Sequence, residues 1–72
     1  MPYAEITPES MLVIGRAGSS SGRRQYRFRT AEAGERALLR WQKEGFFHFW
    51  TRLGDGELSK PFKLVDGERV YL

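Results

Sequence analysis

The segment RRQYRFR, residues 23 to 29, sets Arg23, Arg24, Arg27 and Arg29 around Tyr26 and Phe28. Guanidinium groups make forked hydrogen bonds to phosphate and carboxylate, so such a run points to an anionic partner. Residues 16 to 30 hold five arginines and no acid, while the rest of the chain holds seven cations and nine acids. The net charge of +3 is thus a local +5 offset by a remainder of −2. Charge gathered in one segment is the pattern of an anion-facing surface. A second stretch, FFHFWTRL (46–53), places His48, Trp50 and Arg52 on one parity of the chain. Arginines hold phosphates and aromatic faces stack on bases, which is the combination that single-stranded nucleic acid requires. Lys63 is the cation that a neighbouring strand would add to the same face.

The same residues have plainer roles. Arginine stems cover apolar surface well, so RRQYRFR also reads as a solvated strand face. Trp50 also reads as core, and His48 as a cross-strand packing residue.

Catalysis finds little to work with. A nucleophile would need Ser or Thr beside His48 and an orienting acid, but the serines cluster in SSS at 19–21 and in Ser10 and Ser59. Asp55 and Asp66 fall in turns, where aspartate is expected for turn chemistry. With one histidine and no cysteine, neither a metal site nor a disulfide framework is expected. The reading is a non-enzyme that needs no cofactor.

The elements that must position these groups follow from pattern. MLVIG (11–15) predicts a short buried strand. Residues 1–10 predict an irregular lead-in, with Thr7-Pro8-Glu9 resembling a one-turn helix start capped by Thr7. Residues 16–22, rich in glycine and serine, predict a flexible loop. A phosphate-cradling role for it is the lesser reading, because it lacks a G-K-[ST] ending. RRQYRFR alternates cleanly, with Tyr26 and Phe28 on one face and Arg23, Gln25, Arg27 and Arg29 on the other. Thr30 is a good N-cap for a helix over 31–44 that Gly45 ends. Gly34, Ala37, Leu38 and Trp41 would form its inner face, with Glu32 and Arg36 paired on the outside. FFHFWTRL is a third strand, expected to turn Phe47, Phe49 and Leu53 toward the helix and Phe46, His48, Trp50 and Arg52 away. Residues 57–65 predict a fourth strand interrupted by Pro61. Asp66-Gly67 predicts a type I′ hairpin leading into ERVYL.

The order ββαβββ implies a small α+β domain spanning 1–72: an antiparallel sheet of four to five strands with one helix on one face. No family resemblance emerges: there is no RGFGFV-like signature, one full helix excludes a helix-turn-helix, and the absent cysteines exclude a zinc finger. Two functions fit the cationic and aromatic sheet face. One is binding of nucleic acid, single strands above all, through the backbone. The other is docking on an acidic surface of a larger protein, as a small inhibitor or adaptor of the kind mobile elements encode. No apolar run approaches a membrane span and no signal peptide is evident. The expected setting is cytoplasmic, as a monomer or as a homodimer through an edge strand such as ERVYL.

Overall fold

The structure, a computed structural model, describes residues 6–18 and 22–72. Five strands form one antiparallel sheet: β1 (Met11–Ala17), β2 (Arg23–Phe28), β3 (Phe46–Leu53), β4 (Phe62–Val65) and β5 (Glu68–Tyr71). Their order across the sheet is β2-β1-β3-β4-β5. One helix among the described residues, α1 (Ala31–Lys43), connects β2 to β3 and packs across one face. The fold is α+β with the expected ββαβββ order.

α1 starts where its sequence says it should. The Thr30 side chain accepts the Ala33 N–H at 3.2 Å, and Glu32 sits in the first turn, near the positive end of the helix. Gly45, with φ of +110°, takes the chain out of the helix in a conformation that glycine adopts freely. The buried stripe is Gly34, Ala37, Leu38 and Trp41. It packs on Met11, Val13, Phe49, Phe62 and Leu64, which with Phe46 complete the core. Gln42 pins the end of the helix to the sheet, its side-chain amide donating to the Leu64 carbonyl at 2.9 Å. Glu32 and Arg36 form no ion pair. Glu35 instead binds Arg69 on β5, which also donates to Thr51 Oγ1.

Three expectations are corrected. The apolar face of β3 does not follow strict alternation at its start. Arg16 pairs with His48 and Ala17 with Phe46, so Phe47 is the extra residue of a β-bulge. The bulge turns Phe46 inward against Trp41, with ring centroids 5.8 Å apart, and leaves Phe47 exposed beside His48. The physical reason is a hole at Gly15. A Cβ there would lie 2.9 Å from the Trp41 ring and 3.1 Å from the Phe46 ring. Second, the fourth strand is only Phe62–Val65. Residues 57–61 run without strand pairing, held by Ser59, whose N–H donates to the Thr51 carbonyl and whose hydroxyl accepts the Thr51 N–H. Third, Thr7 does not cap a helix. Residues 7–10 form a turn in which the buried Ser10 hydroxyl donates to the Thr7 carbonyl and accepts the Thr7 N–H. The Asp66-Gly67 turn is as expected, with φ of 52° and 80°.

Candidate functional site

The helix covers one face of the sheet, and the opposite face has no layer over it among the described residues. The strand registers specify what lines that open face. Arg23, Arg16 and His48 lie side by side across β2, β1 and β3. Gln25, Ile14 and Trp50 form the next row, and Arg27, Leu12 and Arg52 the third. Rows on one face are two residues apart, about 7 Å. A neutral row carrying Trp50 is therefore bracketed by two rows that each hold two arginines. Lys63 on β4 extends the same face, and Glu68 on β5 is the one acid that the strands place there.

Trp50 is half-buried at the floor of a groove of about 360 Å³ that Ile14, Arg16, Gly22, Arg23 and Leu58 complete. Leu58, from the unpaired segment before β4, is 49% exposed and forms one wall. An indole bordered by aliphatic side chains offers a flat apolar surface, and Arg16 and Arg23 set positive charge at its rim.

Electrostatics separates the two sides of the sheet. Both ion pairs of the described residues lie on the helix side: Arg24 with Glu44 at 3.0 Å, and Arg69 with Glu35. The open-face cations make no ion pair among the described residues. Arg23 donates to the Gln25 side chain, and Arg52 donates to the Gly56 and Asp55 carbonyls. Arg27 Nη1 is buried and has no hydrogen-bond partner. A buried charged donor left unpaired is costly.

The residues singled out in the sequence divide accordingly. Arg23, Arg27, His48, Trp50, Arg52 and Lys63 share the open face. Arg29 lies just past the end of β2, exposed. Arg24 belongs to the other side, a correction that alternation explains: it shares parity with Tyr26 and Phe28. Its guanidinium lies 4.7 Å from the Phe46 ring centroid and 5.3 Å from that of Trp41. The hydrogen bond from Arg24 is the main cause holding the Glu44 carboxyl below its ordinary value. Desolvation opposes that shift, and the charges of Arg24 and Arg40 assist it. Sequence reasoning missed Leu12, Ile14, Arg16 and Leu58. MLVIG reads as a buried run and Arg16 as part of the loop 16–22, but β1 continues to Ala17, so the first three follow from a period of two carried through MLVIGR.

No group of three or more His, Cys, Asp or Glu among the described residues could hold a metal ion. No helix among them is long and apolar enough to cross a membrane. The phosphate-cradle reading of the serine loop falls on residues 19–21, outside the described residues. No protein-family profile, curated protein or solved structure matches this chain.

Proposed function

We propose that this protein is a non-catalytic binding module whose open sheet face takes single-stranded nucleic acid. The observation that carries the reading is the three-row array: Trp50 and Ile14 between Arg16 and Arg23 on one side and Arg27 and Arg52 on the other. A base laid on the Trp50 row has cations within reach of its phosphate on either side. A duplex keeps its bases stacked inward and cannot offer one to the groove, so single strands are preferred. No side chain of the array has the geometry of a base-edge code, so binding is expected to be tolerant of sequence.

The test is fluorescence anisotropy of labelled single-stranded RNA, single-stranded DNA and duplex DNA across a salt series. Five cations (Arg16, Arg23, Arg27, Arg52 and Lys63) engaged with a single strand predict a log–log salt slope of roughly −3 to −3.5, at about 0.7 per phosphate contact. Arg27→Glu combined with Arg16→Glu should abolish binding, whereas Arg36→Glu on the helix should leave it intact. Absence of binding at low salt would sink the reading.

A second reading has one observation behind it. Leu12, Ile14, Trp50 and Leu58 make an apolar centre with a charged rim, the layout of a protein interface. An inhibitor or adaptor docking on an acidic protein would use the same face. Its affinity would be confined to one partner and dominated by Trp50 and one or two arginines.

A further inference from the structure

The two edges of the sheet are built differently. β2 carries Arg23, Arg24 and Arg27 along its length, with Arg29 just beyond. Charged side chains are a usual means by which an edge strand resists pairing with another chain. β5 has one acid and one arginine, and that arginine is tied back to Glu35 and Thr51. Its apolar side chains lie uncovered: Val70 is 41% exposed, Tyr71 54%, and the neighbouring Val65 on β4 46%.

The backbone of β5 can be assigned group by group. The Leu72 N–H donates to the Pro61 carbonyl at 3.1 Å. Hydrogen-bonded and non-bonded pairs alternate along an antiparallel ladder, so Glu68, Val70 and Leu72 point their amides toward β4. The amides and carbonyls of Arg69 and Tyr71 therefore point outward, to the free edge.

We propose that β5 pairs antiparallel with β5 of a second copy of this chain, about a two-fold axis at Val70. In that register Arg69 of each copy lies opposite Tyr71 of the other, and all four outward groups on each strand are used. Val70 meets Val70 at the axis, in a non-bonded position where Cα atoms approach to about 4.5 Å. Centring the axis on Arg69 would oppose two arginines, which is unfavourable. The β2 edge has no such solution: self-pairing centred on Arg24, Gln25 or Tyr26 sets arginine against arginine each time. The contact is small beside a standard interface, so a dissociation constant of roughly 0.1–1 mM is expected.

Pairing about this axis continues the sheet to ten strands, with both helices on one side and both open faces on the other. From β3 of one copy to β3 of the next is five strand spacings, about 24 Å. A nucleic-acid strand long enough to cross that distance would engage two Trp50 rows and bind more tightly by avidity. This last consequence rests on the nucleic-acid reading, whereas the strand pairing does not.

The experiment is sedimentation equilibrium and residue-resolved amide exchange on the full chain, from micromolar to millimolar concentration, without nucleic acid. The expected result is dimer formation at the upper end, with exchange at Arg69 and Tyr71 slowing as concentration rises. Val70→Lys, at an exposed site that should tolerate it, puts two lysines at the axis and should restore the monomer and fast exchange. Gln25→Lys on the opposite edge should leave the dimer unchanged. A monomer at millimolar concentration, or a dimer indifferent to Val70→Lys, overturns the proposal. Repeating the anisotropy with a short and a long oligothymidine then separates the two readings. A dimer that binds neither leaves the strand pairing standing and removes the nucleic-acid face; tighter binding of the long oligomer, lost in Val70→Lys, supports both.

Discussion

Trp50 and Trp41 are the same residue type in opposite circumstances. Trp41 is 4% exposed between the helix and the sheet, while Trp50 is half-buried on the open face with a groove above it. Trp50→Ala should therefore weaken oligothymidine binding by about 1–3 kcal/mol, the usual worth of one base stacked on an aromatic ring. Circular dichroism must show the fold retained for the loss to count. The arginines divide by the same logic. Arg16→Ala should lower the salt slope by about 0.7, since it removes one phosphate contact. Arg24→Ala should leave the slope alone, because its guanidinium is spent on Glu44 and on the Phe46 and Trp41 rings. The run RRQYRFR draws Arg24 into the candidate site and the glycine-serine loop pattern leaves Arg16 out, whereas position on the pleat puts Arg16 on the open face and Arg24 on the other. Glu44 gives the corresponding pH test. Its folded-state pKa lies below the ordinary value of 4.5, so the stabilisation it provides is complete above that value. It is lost as pH falls through the lowered folded value. Thermal melts of the wild type should drop along this limb more steeply than those of Glu44→Gln.

At the scale of elements, the helix and the hairpins were legible because their signals are local. Thr30, the stripe Gly34–Ala37–Leu38–Trp41 and the Asp66-Gly67 turn each act within a few residues of themselves. The bulge at Phe47 was not legible, since its cause is non-local. Gly15 leaves a gap on β1, and the rings of Trp41 and Phe46 fill it from two other elements. Strict alternation in FFHFW would have sent Phe46 outward and Phe47 inward. Beyond the bulge the alternation resumes, and His48, Trp50 and Arg52 face outward as the pattern implies. Gly15→Ala tests this account. Its Cβ would press on two rigid rings rather than on a flexible chain end, so a destabilisation of about 1–3 kcal/mol is expected in urea unfolding. A neutral result would mean that the rings are free to move and that the bulge has another cause.

At the scale of the whole molecule, the charge is segregated: both ion pairs of the described residues lie on the helix side, and the open face gathers Arg16, Arg23, Arg27, Arg52 and Lys63. Such a face repels itself when empty. Arg16 and Arg23 are directly opposite one another on neighbouring strands, and like charges in that position destabilise a sheet by roughly 0.2–1 kcal/mol. A surface selected only for stability would alternate its signs, so the repulsion is expected to be retained for binding. Arg16→Gln should then raise the melting temperature of the free protein while weakening its hold on single strands. Added salt should likewise raise the melting temperature of the wild type, by screening, and raise that of Arg16→Gln less. The opposite result, a variant that melts lower at every ionic strength, would mean that Arg16 stabilises the face through its packed stem. The open face would then be a structural surface rather than one kept ready for an anion.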